Sequence, residues 1–279
     1  AVVPGTGSFS IETAGDGNTG VTEKLYEIGG RRHLYLSGIQ GLAADPLRPG
    51  TFREQSARMF ADCDRLLKKH GAGFADVLRT WCYLGDIDRD YASFNASRSD
   101  CFRTHGVSRY PASTGIEARL RPERALCAMD LYALLDTKGV DIGTMSTSML
   151  NEAREYGSLF SRGLSICFPE KKVLYVSGTA SVNQAGETVH RGDKRGQLLR
   201  TLLNVGELLA AEGASFDDVV QSLSFLKSGE DREIFETLLE ERGLQSLPIT
   251  MVEAGICRPE LLCEIEAVAV LGPAGSATC

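Results

Sequence analysis

Residues 33–38, His33-Leu-Tyr-Leu-Ser-Gly38, come back as Val173-Leu-Tyr-Val-Ser-Gly178, a displacement of 140 at the shared tyrosine (175 minus 35). Two further echoes keep nearly the same spacing. Gly71-Ala-Gly-Phe-Ala-Asp-Val77 returns as Gly213-Ala-Ser-Phe-Asp-Asp-Val219, a displacement of 142 (213 minus 71), and Arg121-Pro-Glu123 returns as Arg258-Pro-Glu260, a displacement of 137 (258 minus 121). Spacings this similar belong to one unit written twice with different loops, and a repeat constrains the fold before any local propensity does.

Both copies read alike. Tyr35 and Tyr175 sit in short runs closed by Ser-Gly, which predicts a strand that stops at a turn. Leu198, Leu199, Leu202, Leu203, Val205, Leu208 and Leu209 recur at helical spacing, as do Met59, Phe60, Cys63, Leu66 and Leu67. Gly213 and Gly71 punctuate the helix ends. Strands are expected over Val77–Leu84 and Val219–Leu226, then a second helix over 91–105 or 231–241, then two closing strands. The order β, α, β, α, β, β is an α+β unit with its helices on one face of a sheet. The expected organisation is a loose segment 1–20, a first domain 21–137, a linker 138–150 in the polar, Gly- and Thr-containing stretch 136–148, a second domain 151–272 and a loose tail 273–279.

Length agrees with this division, since 279 residues exceed the usual span of one domain. The 43% hydrophobic and 24% charged fractions are ordinary globular values and argue against disorder and fibrous repeats. A net charge of −7, with no basic runs interleaved with aromatics, argues against a nucleic-acid partner. Apolar runs such as 267–271 fall far short of the roughly 20 residues a membrane helix needs. A soluble cytoplasmic protein is expected, with no membrane partner. Eight cysteines without a CxxC pair, and four scattered histidines at 33, 70, 105 and 190, indicate neither a disulfide framework nor a zinc site. The chain opens on Ala1 rather than Met, and an N-terminal piece is expected to precede it.

The second copy, with Leu174-Tyr-Val-Ser-Gly178, the Gly-Ala-Ser-Phe-Asp-Asp-Val turn and the closing Cys263-Glu-Ile-Glu-Ala-Val268, resembles the RidA/YjgF superfamily. That resemblance implies tandem RidA/YjgF-like (chorismate-mutase-like) domains, each a mixed sheet on two helices. It also implies a homo-oligomer, a trimer with sites between subunits, or a pseudo-oligomer formed through the repeat. Imine deaminases of that superfamily carry an arginine two residues after the proline that opens the penultimate strand. Here the matching stretches are Pro111-Ala-Ser113 and Pro248-Ile-Thr250, so the cation that would grip a carboxylate bidentately is missing from both.

Arg109-Tyr-Pro-Ala-Ser-Thr-Gly-Ile116, Tyr156-Gly-Ser-Leu-Phe-Ser-Arg162, Ser177-Gly-Thr-Ala-Ser181 and Cys257-Arg-Pro-Glu-Leu-Leu-Cys-Glu264 are similar to a narrower family, the chorismatases, which cleave the enolpyruvyl ether of chorismate. The resemblance implies an enzyme without metal or organic cofactor, acting on a small dicarboxylate. It implies Glu264 as the proton donor or acceptor. It also implies a steering role for Cys257, where cysteine is similar to the branch that makes 3-hydroxybenzoate rather than a dihydroxycyclohexadiene carboxylate.

Releasing pyruvate from an enol ether requires protonation of its terminal methylene carbon, hence a strong, dry acid. Glu264 lies on a predicted strand with Glu266, Val268 and Val270 on its own face by period two. Desolvation and a second carboxylate would keep its proton near neutral pH. A solvated Glu-x-Glu face is the commoner reading of such a pattern, but the first copy has Cys127 and Met129 at the positions matched by a displacement of 137, and that asymmetry favours function. Local arginines must attract a dianion to a chain of charge −7. Arg162 ranks above Arg258, because the repeated Arg-Pro-Glu explains Arg258 as a shared turn. Tyr156 would add a hydroxyl donor. Gly178, Thr179 and Ala180 are small enough for a ligand to approach the backbone closely, although a tight turn would need them equally. Cys257 reads equally as a pocket wall or as a small buried hydrophobe. Arg109 and Tyr110 read equally as reaching a neighbouring site or as surface. Two rivals remain, a RidA-like deaminase or hydrolase of another enamine or enol ether, and a non-catalytic binding module.

Overall fold

The computed structural model describes residues 11–15, 20–151 and 159–272. The first copy runs β1 (Ile11–Gly15), β2 (Thr22–Ile28), β3 (Arg31–Ile39), α1 (Phe52–Lys69), β4 (Val77–Leu84), α2 (Ile87–Thr104), β5 (Ala112–Glu117) and β6 (Cys127–Leu135). The second runs β7 (Asp141–Thr144), β8 (Gly163–Phe168), β9 (Lys171–Ala180), α3 (Lys194–Ala211), β10 (Val219–Leu226), α4 (Arg232–Glu241), β11 (Ile249–Glu253) and β12 (Cys263–Leu271). Each makes one six-stranded sheet, ordered β1-β2-β3-β6-β4-β5 and β11-β10-β12-β9-β8-β7. Among the described strands β4–β5 and β10–β11 pair in parallel and the other neighbours antiparallel, with one isolated parallel bridge between Ala112 and Ser161.

Local chemistry sets the helices. Thr51 caps α1 in a reciprocal box with Glu54, and Asp193 caps α3 by accepting from the Gly196 backbone N–H. Gly71 and Gly213, at φ of +74° and +76°, turn the chain after α1 and α3, a conformation that side chains disfavour. The apolar stripes of α1 and α3 meet one face of each sheet and form two separate cores. The other faces meet each other. Leu78, Tyr132 and Leu134 of the first copy pack with Leu164 and Ile166 of the second, and the rings of Tyr132 and Tyr175 lie 5.8 Å apart. The two sheets are therefore inside and the helices outside. On β12, period two sends Cys263, Ile265, Ala267 and Ala269 into the helix-side core. Glu264 and Glu266 consequently face the other copy, both buried.

Several expectations need correction. The strands containing Tyr35 and Tyr175 do not stop at Ser-Gly. They run on to Ile39 and Ala180, because Ser37-Gly38 is a bulge opposite Asp130, and Ser177-Gly178 the same bulge opposite Glu266. The stretch 138–150 is not merely a linker, since β7 within it is the edge strand of the second sheet. Likewise β1 falls inside the segment 1–20 and pairs with β2. The tail 273–279 lies outside the described residues.

The two copies also align differently at their last strands. Leu84 pairs with Cys127 and Leu226 with Cys263, so the displacement on the closing strand is 136 (263 minus 127), not 137. The counterpart of Glu264 is Ala128, and that of Glu266 is Asp130. The misleading signal was the Arg-Pro-Glu echo. The backbone N–H of Ala125 donates to the Pro122 carbonyl as that of Leu261 donates to the Arg258 carbonyl, which puts Arg258 in the place of Pro122. A shared turn therefore does not explain Arg258.

Candidate active site

The second sheet meets the first copy along β5. The Ser113 backbone N–H donates to Ser177 Oγ at 2.9 Å, Ser177 Oγ donates to the Ser161 carbonyl at 2.6 Å, and the Gly178 backbone N–H donates to Thr114 Oγ1 at 3.0 Å. Beside this seam lies a cavity of about 360 Å³. Its floor is Glu264 on β12, with Gly178 and Ala180 of β9. One wall is Cys257, Arg258 and Leu261 from the β11–β12 loop. The opposite wall is Tyr91, Ala92 and Asn95 of α2, from the first copy, and Phe160 and Arg162 close the site before β8.

Burial dominates the chemistry of Glu264. It pushes the carboxyl up to about 8, the nearby Glu266 charge adds to the effect, and Arg79 and Arg162 oppose it. The carboxyl rests directly on Gly178, where a Cβ would stand 1.9 Å from Oε1. A side chain at this position would displace the carboxyl, so glycine leaves the acid its place. Cys257 Sγ approaches Glu264 Oε2 at 4.0 Å, and burial, followed by the Glu264 charge, pushes the thiol up to about 12. Cys257 is therefore a thiol at neutral pH rather than a thiolate nucleophile.

The cations are fixed from outside the cavity. Arg162 is 4% exposed and donates through Nε and Nη2 to the backbone carbonyl and side-chain oxygen of Asn151 at 2.9 and 3.1 Å, while its guanidinium stacks over Phe160. Arg258 Nη1 donates to the Gly186 carbonyl at 2.7 Å. Asn95 Oδ1 accepts from the buried Arg98 Nη2 at 2.6 Å, and Arg98 lies over Phe94 and Phe160. The amide orientation of Asn95 is thereby set.

Of the residues expected from sequence, Glu264, Cys257, Arg162, Arg258, Gly178 and Ala180 converge on this cavity. Thr179 does not. It pairs with Ile265 on the helix side of the sheet, and its hydroxyl donates to the Ser177 carbonyl. Tyr156 lies outside the described residues. Arg109 lies elsewhere too, donating to the Ala75 carbonyl beside a separate hollow with Tyr110. Tyr91, Asn95 and Phe160 were not anticipated as site residues. Phe160 lies within the quoted stretch 156–162, whereas for Tyr91 and Asn95 the only sequence signal was the repeat itself, which allows one copy to complete a pocket of the other.

Comparison with known proteins agrees with the duplicated architecture. A family model described as Endoribonuclease L-PSP matches residues 27–135 and again 160–271, one match per copy. The chain belongs to the endoribonuclease L-PSP family. Within the curated proteins, this L-PSP chain is 26% identical over 247 residues to a 3-hydroxybenzoate synthase of Streptomyces hygroscopicus, covering 78% of the chain and 70% of the relative. It is also 26% identical over 222 residues to a chorismatase of Streptomyces rapamycinicus, covering 70% of the chain and 64% of that relative, so it spans less than two thirds of the latter. A crystal structure of a chorismatase superposes with a TM-score of 0.71 at 21% identity, over 92% of this chain and 79% of the other. That likeness establishes the tandem fold. Among the described residues, no helix is long and apolar enough to cross a membrane.

Proposed function

We propose that this protein cleaves the enolpyruvyl ether of chorismate, or of a closely similar dicarboxylate, and releases pyruvate. The observation that carries the reading is Glu264, a buried acid whose carboxyl burial pushes up to about 8, in a cavity lined also by two arginines. The names of the two curated relatives and the shared fold support the substrate class. Arg162 and Arg258 hold the two carboxylates, while Asn95 and Tyr91 of the first copy bound the ring. Glu264 delivers its proton to the terminal methylene carbon and positive charge develops at the ether-bearing carbon. In the hydrolytic outcome water adds to that carbon, and the hemiketal collapses to pyruvate with the ether oxygen left on the ring. In the other outcome the ring C–O bond breaks, its electron pair makes the ether oxygen the keto oxygen of pyruvate, and the neighbouring ring hydroxyl oxygen bonds to the vacated carbon, returns its proton to Glu264 and stays as the phenolic oxygen when the ring aromatises. The buried carboxyl suits this step because it enters protonated and gains charge only as the substrate carbon becomes cationic.

Two outcomes for the ring balance. Formation of 3-hydroxybenzoate and pyruvate consumes no net water, whereas a dihydroxycyclohexadiene carboxylate and pyruvate take up one. Cys257, in contact with Glu264 and neutral, favours the first by occupying space that a water would otherwise fill. The test is incubation of the purified protein with chorismate, with pyruvate followed by coupled reduction and the ring product identified by mass and retention. Pyruvate lost in Glu264→Gln supports the reading, and no pyruvate from folded wild-type protein refutes it.

A further inference from the structure

Glu266 shares the face of Glu264 but does not line its cavity. Its Oε2 accepts from Arg79 Nη2 at 2.6 Å and its Oε1 accepts from Trp81 Nε1 at 3.0 Å. Both donors are on β4, in the other copy. Arg79 is 2% exposed, stacks over the Trp81 ring at 4.9 Å, and donates also to Thr114 Oγ1. Thr114 Oγ1 in turn accepts the Gly178 backbone N–H, and Gly178 is the surface on which the Glu264 carboxyl lies. One guanidinium thus ties together the neighbouring carboxylate and the backbone beneath the acid.

The two copies divide these parts. The parallel pairing of Leu84 with Glu117 and of Leu226 with Glu253 aligns β4 with β10 and sets Gln221 and Leu223 at the positions of Arg79 and Trp81. The second copy has the acid and no clamp, while the first has the clamp and Ala128 in place of the acid. We propose that Glu266, held in place by Arg79 and Trp81 of the first copy, is a positioning residue for Glu264. The first copy is then a working half of the site rather than a degenerate remnant. The inference rests on the reading of Glu264 as the proton donor.

Residues two apart on a strand stand roughly 7 Å apart, and a unit charge at that distance in a medium of effective dielectric about 20 shifts a neighbour by one to two pH units. In Glu266→Gln the alkaline limb of pyruvate release should therefore move down by that amount, with about a tenfold loss at pH 8 and near-normal turnover at pH 5.5. Glu266→Asp, which keeps the charge, should keep the limb. Carboxyl carbon NMR without substrate, with signals assigned through Glu264→Gln and Glu266→Gln, reads the same titration independently of turnover. A downward shift of the Glu264 signal in Glu266→Gln supports the inference even if chorismate is not the substrate. An unmoved signal overturns it even if chorismate is consumed. Should Glu266→Gln not fold, Trp81→Phe, which removes one of the two donors holding Glu266, decides: a moved Glu264 signal supports the proposal and an unmoved one overturns it.

Discussion

Gly178→Ala separates the position of the acid from its existence. The new Cβ would stand 1.9 Å from Glu264 Oε1, 2.8 Å from its Cδ and 3.1 Å from Thr114 Cγ2. The carboxyl is the free end of a flexible side chain, so it yields before the backbone does, and it must retreat by about 1.5 Å to reach an ordinary contact of roughly 3.4 Å. Overpacking of this kind costs about 1–3 kcal/mol, which a folded domain of this size tolerates. Catalysis tolerates it less well, since displacement of a reacting group by about 1 Å costs on the order of 100-fold. The assay is kcat for pyruvate release from chorismate, beside denaturant unfolding of the same protein. A fall in kcat of about two decades, with at most a few kcal/mol of lost stability, is expected. Gly115→Ala is the control, because its Cβ would meet only the Tyr91 ring at 3.5 Å and kcat should hardly change. A Gly178→Ala protein with wild-type kcat would refute the placement of the acid on the bulge.

Other consequences follow from the same geometry. Cys257→Ala opens space beside Glu264 and should raise the share of dihydroxycyclohexadiene carboxylate; an unchanged product ratio, by mass spectrometry, would remove Cys257 from product choice. Arg258→Met should raise KM about tenfold or more with little change in kcat, as expected for a charge-assisted bond made to the bound substrate throughout, and a loss confined to kcat would place Arg258 elsewhere in the reaction. Glu264 has a folded-state pKa raised to about 8, so the folded chain is penalised progressively as pH rises from the ordinary carboxylate range towards 8 and not below it. Glu264→Gln should therefore gain stability over wild type between pH 5 and pH 8, by about 1.4 kcal/mol per pH unit at most, and denaturant titrations with a pH-independent difference would contradict the burial argument.

The duplication was legible because Tyr35 and Tyr175 sit at the same place in two sheets, and Val77–Leu84 and Val219–Leu226 appear with their observed limits. Glu264 was legible for a physical reason. An acid that shares its strand face with Val268 and Val270 is desolvated if the face packs on anything. The edge strands were less visible. β7 has four residues, mostly exposed, and carries no apolar alternation to separate it from a polar connection. The bulges hid behind Ser-Gly, which marks a turn as readily as an irregularity within a strand. Loop slippage of one residue made Arg258 look like Arg121 and gave Cys127 the place that belongs to Ala128. Tyr91, Asn95, Arg79 and Trp81 could not be assigned from their own sequence, since nothing in α2 or β4 states which surface of the other copy it will meet.

The central claim is that Glu264 is the acid that splits an enol ether. The direct measurement is the pH dependence of pyruvate release from chorismate for wild type and Glu264→Gln, both confirmed folded. The account predicts pyruvate from wild type, with kcat/KM falling as pH rises through about 8 and the substitution abolishing release across the range. Equal release by the two proteins would contradict it, as would a wild-type rate that falls instead as the carboxyl becomes protonated.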